Sequence, residues 1–402
     1  MEVVVGCFVN LLNLGVMMAV NFNKIKMVKY FCLLLSLFIF CFKEGYATQG
    51  IDIVSVSTDG HYALTTDESE QAILWDLQAK KSQVVGKNVH VFSAYFIPNT
   101  HDYLWQDQDK IIHIQNIEGK KIDTFILPFF VFGQAMTSDQ KYYLAGDIAE
   151  GLHLRENGQW QVLIPADTDD DTGQSLGNGS ELMADKPYNI SIDSAQKIFI
   201  ESNFSVKLWN LTTGKLIRKY QGNIGKTFAT LSPDGKYIVS GDEQPHGFVL
   251  DTTSGTAILK LWDIWYGTPT KQDQFGNNIA FDTTGLIDVP KDFTQKDGFQ
   301  SSAILSLKFI DQTHYLRFTT YVPYAILYNI TDPKPTKYFP LGTHPWPAVN
   351  YYARDQAIDT SWQAHVLVVG KEDSDGILVY QYDPQKQTLT KVWDGSSCWM
   401  FC

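Results

Sequence analysis

The chain has 402 residues, 44% of them hydrophobic and 13% aromatic, enough apolar surface for one large β domain or two ordinary ones and too much for a disordered protein. Its 32 basic and 44 acidic side chains give a formal charge of -12 at pH 7. That charge repels nucleic-acid phosphates and anionic lipid, so a nucleic-acid role is disfavoured from the start.

The first 47 residues differ from everything after them. Lys24, Lys26 and Lys29 precede the apolar run Phe31–Phe42, and Gly45-Tyr46-Ala47 places small residues three and one before a cut. Basic start, apolar middle and small-residue end are the order of a secretory signal. The run is short for a membrane span of roughly 20 residues, although the apolar stretch Glu2–Val20 keeps a retained anchor open. The expectation is a start at Met27, cleavage after Ala47 and an exported protein, periplasmic or extracellular. Lipid attachment at Cys41 is disfavoured by the bulky Phe38-Ile39-Phe40 before it. Cleavage would leave Cys398 and Cys402 as the only thiols. In an oxidising compartment they could bridge each other or a partner; the plainer alternative is a frayed tail, 398–402, with two idle thiols. Without nearby histidines they fall short of the four ligands zinc usually takes.

From Ile51 a unit recurs: an alternating apolar strand, a turn of Ser/Thr, Asp, Gly or Gln type, a second strand, a polar loop, and a third strand ending in an aromatic-plus-Asp/Asn pair. The first copy is Ile53–Ser57, turn Thr58-Asp59-Gly60, strand Tyr62–Thr65 and Ala72–Asp76. The second turns at Asn99-Thr100-His101 and ends at Gln115-Asn116; the third turns at Ser138-Asp139 and has lost the Trp-Asp ending. Turn centres at Asp59, Thr100 and Asp139 lie 41 and 39 residues apart, the interval of a β-propeller blade, roughly 40–45 residues. The polar, Asp- and Gly-rich stretch Pro165–Pro187 reads as an inserted exposed loop. A fourth copy runs from Tyr188 to Tyr220 through Leu208-Trp209-Asn210.

The fifth copy turns at Ser232-Pro233-Asp234-Gly235. Its third strand is expected at Thr256–Asp263, ending in Trp262-Asp263, after a lengthened loop over 243–255; the competing assignment puts that strand at Phe248–Asp251. The stretch 267–300 carries no complete unit and reads as an inserted hairpin or loop. A sixth copy covers Ile304–Asn329, and a seventh takes Val349–Arg354, Val366–Val369, Ile377–Tyr382 and Leu389–Trp393. No long amphipathic period occurs after Ala47, because the apolar runs are short, of period two and broken by Gly, Asp, Asn and Pro. The expected fold is therefore all-β over 48–397: a propeller of seven blades, or eight if 267–300 is a damaged blade, whose first and last blades must meet to cover their faces.

Leu74-Trp75-Asp76, Lys207-Leu208-Trp209-Asn210, Lys260-Leu261-Trp262-Asp263 and the turns Thr58-Asp59-Gly60 and Ser232-Pro233-Asp234-Gly235 resemble the WD-repeat family. The resemblance spans about Ile51 to Trp393. It implies a ring that presents loops to proteins or peptides, usually without catalysis. The chain departs from the family pattern in lacking the Gly-His pair that often precedes the first strand of a blade.

Trp75, Asp76, Trp209, Asn210, Trp262 and Asp263 are read as structural, the Trp packing between blades and the polar partner tying a turn. Asp167, Asp169 and Asp171 could offer oxygen ligands to calcium, but an EF-hand order starting at Asp167 would want Gly and Glu where Thr172 and Asn178 stand. No other cofactor is expected. The nine histidines are scattered, and neither a Gly-x-Ser-x-Gly elbow nor a phosphate-cradling Gly-Lys-Ser/Thr loop occurs, so no catalytic residue is nominated. Trp265, Tyr266, Trp346 and Trp362 are candidate recognition aromatics, with the loops 166–186, 241–255 and 267–300 beside them. The leading expectation is a protein- or peptide-binding scaffold. The alternatives are an exported enzyme or a small-ligand or metal binder using the central channel, and a secreted protein acting on a host.

Overall fold

The structure is a computed structural model that describes residues 50–396 apart from 68, 91–92, 148–150, 166–188, 194, 196, 203–204, 221–226, 243–246, 261–269, 273–277, 281–303, 320–323, 333, 342–356 and 372–375. All its regular structure is strand. Seven four-stranded antiparallel sheets follow one another along the chain. Blade 1 is β1 (Ile51–Val56), β2 (Tyr62–Asp67), β3 (Gln71–Asp76) and β4 (Lys81–Lys87); blade 2 is β5 (Tyr95–Phe96), β6 (Asp102–Gln106), β7 (Ile111–Asn116) and β8 (Lys121–Ile126). Blade 3 is β9 (Gly133–Met136), β10 (Tyr142–Asp147), β11 (Gly151–Glu156) and β12 (Gln159–Ile164); blade 4 is β13 (Asn189–Asp193), β14 (Ile198–Ser202), β15 (Val206–Asn210) and β16 (Lys215–Tyr220). Blade 5 is β17 (Thr227–Leu231), β18 (Tyr237–Asp242), β19 (Gly247–Asp251) and β20 (Ala257–Lys260). After a short hairpin of β21 (Thr270–Gln272) with β22 (Asn278–Ala280), blade 6 is β23 (Ile304–Phe309), β24 (His314–Thr319), β25 (Tyr324–Asn329) and β26 (Pro335–Pro340). Blade 7 is β27 (Ile358–Ser361), β28 (Val366–Gly370), β29 (Gly376–Asp383) and β30 (Thr388–Ser396).

Strand alternation puts side chains on both faces of every sheet, and each face is buried against the next blade. Seven apolar clusters result, one per junction: blades 1 and 2 share Leu64, Leu74, Tyr103 and Trp105, blades 3 and 4 share Leu144, Leu154, Phe199 and Trp209, and blades 6 and 7 close over Leu316, Phe318, Leu367 and Tyr380. The seventh cluster joins the ends of the chain, Val54, Val56 and Trp75 of blade 1 packing on Val366, Val368, Ile377 and Val379 of blade 7. Among the described residues no strand is exchanged across this junction. It is held instead by Ile51 N–H donating to Lys371 O at 3.0 Å, Val56 N–H donating to Asp359 Oδ2 at 2.8 Å and the Ser361 hydroxyl donating to Thr58 O. Two glycines let the blades approach: a Cβ at Gly370 would stand 2.6 Å from the Ile51 side chain, and one at Gly60, whose φ is +70°, 2.5 Å from Ala364 Cβ.

Two local devices repeat. In the first hairpin, the Ser57 hydroxyl donates to Asp59 Oδ1 and accepts from Tyr62 N–H; Thr137, Asp139 and Tyr142, and Ser232, Asp234 and Tyr237, do the same in blades 3 and 5. At the end of the third strand an Asp or Asn side chain accepts backbone N–H groups of the following turn, as in an Asx-turn. Asp76, Asn116, Asn210, Asp251, Asn329 and Asp383 all do so.

Two strand assignments from the sequence are corrected. The third strand of blade 5 is Gly247–Asp251 and Ala257–Lys260 is its outer strand, so Trp262-Asp263 does not end a third strand and 243–255 is not one long loop. Asp251 carries the turn-capping role, taking N–H donors from Thr253 at 2.9 Å and Ser254 at 2.5 Å. The first strand of blade 7 is Ile358–Ser361, so Val349–Arg354, which lies outside the described residues, is not that strand. The hairpin of β21 and β22 leaves seven blades among the described residues.

Candidate functional site

Because every strand pair is antiparallel, chain direction assigns each connection to one of two faces. On one face lie the connections from first to second strand and from third to fourth strand, such as 57–61, 97–101, 211–214 and 384–387, none longer than five residues. On the other lie the connections from second to third strand and all the links between blades. The strand ends bounding 165–188, 261–303 and 341–357 all sit there, as do the start of β1 and the end of β30. One face is thus all tight hairpins, and the other receives every long connection. We call them the hairpin face and the linker face.

Over blades 1 to 3 the linker face carries a hydrogen-bonded network of described side chains. The fully buried Gln106 organises it: its amide donates to Phe129 O at 2.8 Å and its carbonyl accepts Val131 N–H at 2.9 Å, holding the link 127–132 in place. Phe130 of that link stacks on His90 at 4.5 Å, and the Lys110 ammonium stands 5.2 Å from the Phe130 ring centre. Burial pushes the His90 imidazole down to about 4, so it is uncharged at neutral pH. Beside them Asp107 Oδ2 holds His113 Nε2 at 2.7 Å, and the His113 ring stacks on Trp105 at 4.2 Å. The result is a patch of rings with one cation, held by hydrogen bonds, a surface suited to recognition.

The centre of the ring carries a second constellation. The first strand of each blade has a neighbour on one side only, so its other edge needs partners for its N–H and C=O groups. Aligned by their ladder partners, the first strands place Ser55, Tyr95, Ala135, Ser191, Thr230, Lys308 and Asp359 at one register position. Four side chains at this position accept an N–H of the next blade: Ser55 takes Phe96 N–H at 2.9 Å, Ser191 takes Leu231 N–H at 3.3 Å, Asp359 takes Val56 N–H at 2.8 Å, and the Tyr95 hydroxyl is hydrogen-bonded by the Met136 backbone. Lys308 has no acceptor to offer and instead pairs its ammonium with Asp359 Oδ1 at 3.2 Å. Burial pushes the Tyr95 phenol up from its ordinary value, the Met136 bond pulls against that rise, and the Asp359 charge adds to it. Tyr95 is therefore a neutral hydroxyl at physiological pH.

Trp75 and Trp209 lie between blades. Trp75 is fully buried, donates from Nε1 to Thr65 Oγ1 at 2.9 Å and meets Trp393 edge to face at 5.9 Å. Trp209 stacks on Phe199 at 6.0 Å within the junction of blades 3 and 4. Asp76 and Asn210 cap the turns that follow them. Trp362 packs against the core between blades 5 and 6. Asp167, Asp169, Asp171, Trp262, Asp263, Trp265, Tyr266, Trp346, Cys398 and Cys402 lie outside the described residues. Among the described residues no group of His, Cys, Asp and Glu is placed to hold a metal ion. Sequence reasoning missed the Gln106 network and the first-strand register ring. The signal for the ring was a polar residue recurring at one place in strands that otherwise read as apolar. No protein-family model matches the chain, and no curated protein does either.

Proposed function

We propose that this chain is an exported, divergent WD-repeat-like propeller that acts as a binding platform for a protein or peptide on its linker face. The observation that carries the reading is the asymmetry of the ring: every connection longer than seven residues joins strand ends on one face, while the opposite face is closed by hairpins of five residues or fewer. Long connections on a rigid scaffold are where recognition concentrates, and seven buried junctions make such a scaffold. The aromatic and cationic patch of His90, Lys110 and Phe130 lies on the same face.

The test is affinity capture on the mature chain 48–402 from the cell-envelope fraction of its own source. One variant replaces 166–186 with a short Gly/Ser linker, and a second substitutes Lys120 and His101 on the hairpin face. A stoichiometric partner retained by the second and lost by the first supports the reading; loss on the hairpin-face variant alone refutes it. A second reading, a small ligand in the central channel, is favoured by the Lys308–Asp359 pair on the first-strand ring. It predicts that Lys308→Met removes a co-purifying small molecule while protein capture is unchanged.

A further inference from the structure

Arg317 is the unusual residue of blade 6. It lies in the middle of β24, on the sheet face that packs against blade 5, and it is fully buried. Its row across the sheet is Leu307, Arg317, Ile326 and Tyr338, and the next row is Phe309, Tyr315 and Tyr328. Val239 and Val249 of blade 5 close the same cluster. A guanidinium cannot shed its proton to escape such a place, so its environment must supply an opposite charge.

Among the described residues the guanidinium's one hydrogen-bond acceptor is a phenol, and no carboxylate is paired with it. Nη1 reaches the Tyr328 hydroxyl at 3.5 Å, and the guanidinium carbon is 6.0 Å from the Tyr328 ring centre. Nε and Nη2 have no hydrogen-bond acceptor among the described residues, and neither does the hydroxyl of Tyr315. Nε–H and Nη2–H form one edge of the guanidinium, two parallel donors spaced to match the two oxygens of a carboxylate. Burial pushes the Tyr315 phenol well up, with the charge of Arg317 pulling the other way, so that hydroxyl keeps its proton and adds a third donor. Arg317 lies two residues from the end of β24 at Thr319, and that end is on the linker face.

The geometry points to a buried anion site between blades 5 and 6 that takes a small carboxylate of formate or acetate size, held side-on by Nε and Nη2 of Arg317 with the Tyr315 hydroxyl as third donor. Full enclosure excludes a large ligand, and the paired parallel donors favour a carboxylate over a halide. The site is independent of the linker-face platform, because none of its residues belongs to the patch of His90, Lys110 and Phe130.

The test uses the full chain, dialysed into sodium chloride buffer, with sodium formate or acetate exchanged for chloride at constant ionic strength. Melting is followed by tryptophan fluorescence, and binding is read directly by saturation transfer to the formate proton. Formate should raise the melting temperature saturably, by about 3 °C at high excess. Arg317→Met should abolish the response while melting no lower than the wild type in chloride, because it removes a buried unpaired charge. Tyr315→Phe should move the formate midpoint up about tenfold, the worth of one hydrogen bond to a charged group. Arg317→Lys, which keeps the charge and loses the paired donors, should also lose the response and guards against a Met variant that does not fold. An unresponsive wild type, equal effects of chloride and formate, or an unchanged response in Arg317→Lys overturns the site. So does an Arg317→Met chain that is destabilised without any formate effect in the wild type.

Discussion

The ring closes on Asp359, and substitution there has a magnitude that follows from its two bonds. One oxygen accepts Val56 N–H at 2.8 Å and the other pairs with the Lys308 ammonium at 3.2 Å, so one carboxylate joins blades 6, 7 and 1 where no described strand is shared. Asp359→Ala leaves a backbone N–H without a partner, about 1–3 kcal/mol, and removes a partly exposed ion pair, about 1 kcal/mol or less. The expected cost is about 1–4 kcal/mol. Asp359→Asn keeps an acceptor for Val56 and loses only the charge, so it should cost about 1 kcal/mol. The assay is urea unfolding of the full chain followed by tryptophan fluorescence, with Lys308→Met completing a double-mutant cycle whose coupling should be about 0.5–1 kcal/mol. Equal costs for the Ala and Asn variants would refute the capping role. Zero coupling with Lys308 would refute the ion pair.

Trp75→Phe removes the bond to Thr65 and the contact with Trp393, and should cost about 2–3 kcal/mol in the same assay. Trp209→Phe loses no indole hydrogen bond to a described residue and should cost about half as much. At Asp59, burial acts to raise the carboxyl, but the Ser57 hydroxyl, His101, and the N–H and charge of His61 outweigh it and hold the group at about 2. A carboxyl held below its unfolded value contributes stability above about pH 4 that is lost as pH falls toward 2. After allowance for solvent screening at this half-exposed turn, Asp59→Asn should remove roughly 1 kcal/mol of that acid-range slope, read from urea midpoints at pH 5 and pH 2.5. Gly370→Ala should lower the melting temperature far more than a surface substitution, because its Cβ meets Ile51 at the closing junction.

The architecture was legible because its punctuation is local. Ser57-Thr58-Asp59-Gly60 and Ser232-Pro233-Asp234-Gly235 fold their hairpins with bonds inside the turn, so the blade interval could be counted without tertiary information. The misplaced third strand of blade 5 shows the limit. The feature that recurs is the turn-capping Asp or Asn at the strand end, not the Trp before it: Asp251 follows Leu250, and Asn329 and Asp383 follow Tyr328 and Tyr382. Weighting the Trp drew the strand to Trp262-Asp263. Ile358–Ser361 was missed because it is short, polar and without an Asp-Gly turn; neighbouring blades hold it, through Val56 N–H on Asp359 and the Thr360 hydroxyl on Phe309 O at 2.6 Å. Arg317 could not be singled out either, since an Arg in a strand ordinarily points to solvent and only the junction with blade 5 encloses it.

Hydrogen exchange on the captured complex tests the central claim most directly. The platform account predicts that protection gained on binding falls in the linker-face segments 88–94, 107–110 and 127–132, with the hairpins 57–61, 77–80 and 97–101 exchanging as in the isolated chain. Protection confined to those hairpins, with the linker-face segments unchanged, would contradict it.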